Sequence, residues 1–199
     1  MNDSKPQSKE NNETGRTFAS DVFDVVETVF CVIAAVFVLL TFFRLCEVSG
    51  SSMEETLYDG EKLVVSDVFG KPERGDIVIC HIINDYYHEP VVKRVISAGG
   101  EYVDIKNRDG RLLVTVYDSN MENPIVLEDS TVVYKNGFRS VNEEAYPVYV
   151  PEGYLFVMGD NRNNSSDSRG ALIGLVDSRR VLGKLLFRIT PLSKFGRVD

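Results

Sequence analysis

The sequence predicts a mainly β domain, a sandwich or partly open barrel, preceded by one membrane-spanning helix. Two observations carry this expectation. One is a single long apolar run, TVFCVIAAVFVLLTFF at 28–43; the other is a change of texture after residue 47, where short β-rich runs alternate with turn signals. The apolar run has sixteen uninterrupted residues. At about 1.5 Å per residue these cover roughly 24 Å, less than a hydrocarbon core of about 30 Å. Val25, Val26, Leu45 and Cys46 extend it if Glu27 and Arg44 snorkel to the interface. The run has no polar face at the 3.6-residue period, which argues against a buried core helix. A cleaved signal peptide would have a shorter apolar region after a short basic start. Here a polar tail comes first, which favours an uncleaved anchor over residues 25–46.

Residues 1–24 precede it as a polar tail expected to be disordered. Lys5, Lys9 and Arg16 before the run, against Arg44 and Lys62 after it, give a small bias towards a cytoplasmic N-terminus. Residues 47–199 then form the extracytoplasmic domain. Its predicted strands are KLVVSDV (62–68), DIVICHII (76–83), PVVKRVISA (90–98), EYVDI (101–105), RLLVTVY (111–117), TVVYKNG (131–137), YPVYV (146–150), YLFVMGD (154–160) and VLGKLLFRI (181–189). NRDG at 107–110 and KNG at 135–137 are turn signals between them. Residues 107–150, with acidic clusters and no motif, are expected to form a variable β-rich insertion.

Composition removes several function classes. A net charge of −8 over 199 residues argues against nucleic-acid binding, which needs clustered Lys and Arg to neutralise phosphates. No GxGxxG or P-loop is present, so a nucleotide cofactor has no support. Cys31, Cys46 and Cys80 form no CxxC pair and signal neither a zinc site nor a disulfide framework, although a Cys46–Cys80 pairing stays open. His81 and His88 lie beside no recognisable catalytic motif, and HEP at 88–90 is not a zinc-binding HExxH helix.

Three segments bear on chemistry. SGSSMEETL at 49–57 places three serines directly after the anchor but adds Met53 and Leu57, which a solvated linker does not need. A serine nucleophile without a histidine requires another base, and lysine serves only when neutral. At an ordinary pKa near 10.4, about one lysine in a few thousand is neutral at pH 7; burial lowers that pKa by up to about 3–5 units. Lys93, flanked by Val91, Val92, Val95 and Ile96, is a lysine in an apolar strand. On this segment alone the edge-strand gatekeeper is the favoured reading. GDNRNNSSDSRG at 159–170 ends an apolar strand with a density of donors and acceptors. That suits either a solvated loop or a polar network holding a buried cation.

VSGSSMEETLYDGEKLVV (48–65), RGDIVI (74–79), VVKRVISAGGE (91–101) and GDNRNNSSDSRG (159–170) resemble, in this order, the blocks of bacterial type I signal peptidases, of Gram-positive kind. The resemblance implies a signal-peptidase-like β fold and a membrane-bound serine endopeptidase with a Ser/Lys dyad. It implies Ser52 as nucleophile, Lys93 as general base and Ser165 as the serine that orients the lysine. Val48, Met53 and Val92 would line the substrate pockets, and Arg94, Asp160, Asp167 and Arg169 would be paired scaffold charges. The implied partners are secretory preproteins, cut after Ala-x-Ala-like sites, and the bilayer of the cell membrane. No cofactor or metal is implied. Two departures stand out: Gly50 occupies a position where some relatives place an oxyanion-stabilising serine, and Glu55 replaces the usual proline of SMxPTL. A self-cleaving repressor-type protease shares the Ser/Lys logic but has no anchor. A catalytically silent anchored β-domain with a structural envelope role is the alternative from another class.

Overall fold

The computed structural model describes residues 18–68, 70–83, 89–108, 111–127 and 142–198. The predicted strand at 131–137 and His88 lie outside them. Two compact units are present, divided between Thr41 and Phe42.

The first contains helix α1, Phe18–Phe42, except for its last residue. It is long and apolar enough to cross a membrane. Its 25 residues reach about 37 Å at 1.5 Å per residue. Phe23, Phe30, Phe37 and Leu40 are among its exposed apolar side chains. Thr28 and Thr41 donate their hydroxyls to the carbonyls of Asp24 and Phe37, one turn back, so each is satisfied within the helix. The helix departs from expectation at both ends. It starts within the expected tail, where Asp21 lies in the first turn and favours the positive end of the helix dipole. It stops before Leu45 and Cys46, which belong to strand β1, Arg44–Glu47. Pairing with Leu63 and Val64 outweighs the hydropathy that assigned those two residues to the anchor.

The second unit is antiparallel β-structure. Its strands are β1, β2 (Lys62–Ser66), β3 (Ile77–His81), β4 (Pro90–Ser97), β5 (Glu101–Arg108), β6 (Arg111–Tyr117), β7 (Ile125–Leu127), β8 (Val148–Val150), β9 (Tyr154–Met158), β10 (Val176–Asp177) and β11 (Val181–Thr190). A seven-stranded sheet has the order β1-β2-β11-β3-β4-β9-β10, and a four-stranded sheet the order β7-β6-β5-β8. The register of β11 shifts against both neighbours, at Leu185/Phe187 and Arg188/Thr190 against β2 and at Val181/Gly183 against β3. Such bulges bend a strand and raise its local twist. The four-stranded sheet begins with β5 at Glu101, ahead of residue 107.

Alternation builds three apolar clusters. Ile96, Phe156 and Met158 of the larger sheet pack with Val103, Ile105, Val114, Val116 and Val150 of the smaller. Val78, Cys80, Val95 and Val157 form a second cluster. Val48, Met53, Leu57, Leu63 and Ile77 form a third, with Val92 and Leu185 packed against it. Val92 belongs to the third and Val95 to the second, so Lys93 sits in β4 between two apolar masses. The three cysteines are free, and Cys46 and Cys80 do not pair.

Candidate active site

The serine-rich segment after the anchor is a folded loop. At its entry, Val48 N–H donates to the Glu61 carbonyl at 2.9 Å and the Val48 carbonyl accepts from Gly60 N–H at 2.9 Å. Gly50 takes φ +86°, a conformation open to glycine at little cost, and its N–H donates to Asp59 Oδ1 at 2.8 Å. At the exit, Thr56 and Leu57 N–H groups both donate to the Met53 carbonyl, at 3.1 and 2.7 Å. Met53 and Leu57 are fully buried, which explains apolar residues in an apparent linker: they pin the loop to the core on either side of the turn. Ser52 is left half-buried at the top of it.

Lys93 reaches that serine from β4. Its Nζ lies 2.7 Å from Ser52 Oγ and 2.9 Å from the Val92 carbonyl, and the residue is 3% exposed. Burial lowers the Lys93 pKa. Asp167 and Asp160 oppose that shift by favouring charge, and Arg169 reinforces it. A Cys80 thiolate would also favour charge on Lys93, but burial pushes that thiol up to about 12, so it is neutral in the working range. The net direction is towards a neutral amine, the form that accepts a serine proton. The gatekeeper reading of Lys93 does not hold: β4 lies between β3 and β9, not at an edge.

The loop after β9 surrounds the pair. Arg94 Nε and Nη2 grip both oxygens of Asp160, at 2.9 and 2.8 Å, and Arg94 Nη1 donates to the Gly75 carbonyl at 2.9 Å. Asp160 also accepts the Thr56 hydroxyl at 2.6 Å, tying the ion pair to the exit of the Ser52 loop. Asp167 is gripped by Arg169 through both oxygens, at 2.8 and 2.7 Å, and accepts Gly159 N–H at 3.1 Å. Burial opposes charge on Asp167, but Arg169, Gly159 N–H and the Ser165 hydroxyl together hold its pKa below the usual carboxylate range. Ser165 is buried and meets Asp167 and the Ser166 carbonyl, the latter at 3.5 Å. A side chain on Gly159 would fall 2.3 Å from Ser165 Oγ and 2.4 Å from the Ser52 carbonyl, so this glycine lets the loop approach both.

Of the expected pocket residues, Val48, Met53 and Val92 share one cluster. Val92 is half-buried, whereas Val48 and Met53 are 3% and 1% exposed and present little surface of their own. His81 stands opposite Pro90, and Lys93 opposite Val78. Three residues along a strand separate them by about 10 Å.

The loss of the usual proline does not leave the turn soft. Glu55 takes φ +81°, which a proline ring fixed near −65° cannot adopt. It is the third residue of the turn closed by Thr56 N–H and the Met53 carbonyl. A left-handed conformation costs an L side chain roughly 1–2 kcal/mol, and the surroundings hold it. Arg188 Nη1 donates to the Thr56 carbonyl at 3.0 Å while pairing with the buried Glu61 carboxylate at 2.9 Å. Glu55→Gly is therefore expected to stabilise the protein by about 0.5–1 kcal/mol, once glycine's extra chain entropy is deducted. Glu55→Pro is expected to destabilise it by more than about 1 kcal/mol. Urea unfolding of the two variants beside wild type checks both signs; a stabilising proline would mean the turn is not left-handed.

Sequence reasoning missed Gly159, Asn161, Thr56, Glu61 and Arg188. Gly159 and Asn161 lie inside the polar block and carried a signal there. Arg188 carried none, since it meets Thr56 across 132 positions.

Among the described residues, no group of three or more His, Cys, Asp or Glu is placed to hold a metal. The family described as signal peptidase, peptidase S26, matches residues 22–190. The chain is 35% identical over 184 residues to signal peptidase I of Bacillus licheniformis, covering 90% of this chain and 95% of that one. It is 39% identical over 147 residues to signal peptidase I of Bacillus amyloliquefaciens, covering 72% of each. Against signal peptidase I T of Bacillus subtilis (strain 168) identity is 39% over 150 residues, covering 74% of each. With the family spanning both the apolar helix and the buried lysine–serine contact, the chain belongs to the signal peptidases of peptidase family S26.

Proposed function

We propose that this enzyme removes N-terminal signal peptides from secretory preproteins through a Ser52–Lys93 dyad, anchored by its N-terminal helix in the cell membrane with the N-terminus cytoplasmic and residues 47–199 outside. The observation that carries the dyad is the 2.7 Å approach of Lys93 Nζ to Ser52 Oγ, inside an environment that disfavours lysine charge. Neutral Lys93 takes the Ser52 proton as Oγ attacks the scissile carbonyl. The new amino terminus leaves with that proton. Lys93, neutral again, then activates the water that hydrolyses the acyl-enzyme. Ser52 N–H is the donor for the developing oxyanion. Ser165 orients Lys93 through the network it shares with Asp167, and Arg94–Asp160 and Asp167–Arg169 hold the frame.

Small residues at the first and third positions before the cut fit a shallow apolar site with Val92 on its wall and Val48 and Met53 beneath. An extended substrate laid along the β-structure would present one peptide bond to Ser52. A helical anchor makes physical sense because the substrates are themselves held in the bilayer.

The test is cleavage of a preprotein bearing an Ala-x-Ala site by the detergent-solubilised full chain, with the product's new N-terminus located by mass spectrometry. Cleavage directly after the second alanine is expected from wild type and none from Ser52→Ala. Cleavage elsewhere would sink the specificity, and equal cleavage by Ser52→Ala would sink the nucleophile.

A further inference from the structure

Resting on the Ser52–Lys93 reading, we propose that Asn161 is the positioning residue of the oxyanion site, acting through the peptide planes on either side of Ser52. Asn161 Nδ2 donates to the Ser51 carbonyl at 3.0 Å, and Asn161 backbone N–H donates to the Ser52 carbonyl at 3.1 Å. The orientation of the amide is set by its surroundings. Nδ2 also faces Glu54 Oε2 at 3.4 Å, so both neighbours are acceptors and only the NH2 end satisfies them.

The Ser51 carbonyl and Ser52 N–H belong to one planar trans peptide, so fixing the oxygen fixes the direction of the N–H. The Ser52 carbonyl lies in the next plane. Asn161 therefore holds both planes that meet at the nucleophile's Cα, leaving Ser52 N–H little freedom to turn. A second residue of the same loop supports this arrangement: Asn164 Nδ2 donates to Ser51 Oγ at 2.8 Å.

Gly50 makes the effect large. It supplies no hydroxyl to the oxyanion, so stabilisation leans on the aim of Ser52 N–H. An oxyanion donor is worth roughly 10²–10³ in kcat when removed outright. Misaiming one by loss of its support is expected to cost about 10- to 100-fold. Asn161→Asp is the sharpest substitution. It keeps shape and backbone N–H but turns a carboxylate oxygen towards the Ser51 carbonyl and the Glu54 carboxylate.

In the experiment, Asn161→Asp, Asn161→Ala and Asn161→Gln are made in the full chain, and kcat and KM are measured separately on a peptide substrate across pH. Inhibition by a peptide aldehyde, whose carbonyl carbon takes Ser52 Oγ to give a tetrahedral adduct, is compared with binding of the matching unreactive peptide amide. The expected result is a 10- to 100-fold lower kcat for Asp and Ala, with KM within about threefold and, for the uncharged Ala and Gln variants, an unmoved pH midpoint. Aldehyde affinity should fall by a similar factor while amide binding stays constant, and the glutamine variant should recover part of the loss. Unchanged kcat, a loss confined to KM, or equal losses for aldehyde and amide would each overturn the proposal. Where Asn161→Asp does not fold, the Ala and Gln variants read the same split. If Ser52→Ala still cleaves, the dyad reading itself has failed; if it does not and the Asn161 variants match wild type, only the role of Asn161 has.

Discussion

Lys93→Met is expected to lower kcat/KM on a preprotein by about 10²–10⁴-fold, the range supplied by a positioned general base, while leaving the fold intact. Methionine has nearly the length of the lysine stem and fits between the apolar clusters that hold Val92 and Val95. It cannot take a proton from Ser52. The pH dependence of wild type carries the same argument. In the proposed dyad Lys93 acts as a neutral amine, so kcat/KM is expected to rise with pH through an ionisation below the ordinary lysine value of 10.5. Burial sets that direction against the pull of Asp167 and Asp160, which favour charge, and with the help of Arg169.

Stability should follow the same ionisation. Between the lowered folded pKa and 10.5, the unfolded chain binds a proton that the folded protein lacks. Lys93 therefore makes stability rise with pH across that window and fall as pH drops towards the folded pKa, below which its contribution is flat. Lys93→Met removes this slope and should be the more stable protein at neutral pH. Urea unfolding of both proteins at several pH values, beside their rate profiles, makes the check. An active Lys93→Met variant, or a wild-type profile with no ionisation below 10.5, would remove the lysine from the mechanism.

Gly159→Ala is expected to lower kcat by about 10²-fold, the scale associated with displacing reacting groups by about 1 Å. The added Cβ would lie 2.4 Å from the Ser52 carbonyl and 2.3 Å from Ser165 Oγ, so the polar loop and Ser52 must separate. A backbone carbonyl cannot rotate aside as a flexible side-chain tip does. Overpacking of this kind costs about 1–3 kcal/mol, so a folded but impaired enzyme is expected. Gly170→Ala is the matched control, since its Cβ would meet only the Asp167 carbonyl at an ordinary 3.7 Å. Circular dichroism and kinetics on both variants make the comparison. Full activity in Gly159→Ala would mean that Ser52 and the polar loop do not need this approach.

Much of the secondary structure was legible because its causes are local. Alternating apolar residues and turn residues placed β2, β3, β4, β6, β9 and β11 within a few positions of where they lie. The errors fall where local signals compete with distant partners. Leu45 and Cys46 read as the end of an apolar anchor, yet they pair with Val64 and Leu63 in β1. The short strands β7 and β10 owe their conformation to β6 and β9, not to any pattern of their own. Glu55 reads as an ordinary substitution for proline, and its left-handed backbone is visible only in the folded turn.

By itself the sequence determined the family, an apolar helix ahead of a β domain, and the chemical identity of the two groups on which the proposed mechanism turns. Those follow from residue type, period and order along the chain. Tertiary structure alone decided that Lys93 Nζ meets Ser52 Oγ across 41 positions, and that burial shifts the lysine towards its neutral form. It decided too that Gly159, Asn161 and Arg188 converge on the Ser52 loop from segments far along the chain. The physical reason is that a pKa and a hydrogen-bond direction depend on what surrounds a group in space, and the packing of distant strands supplies those surroundings.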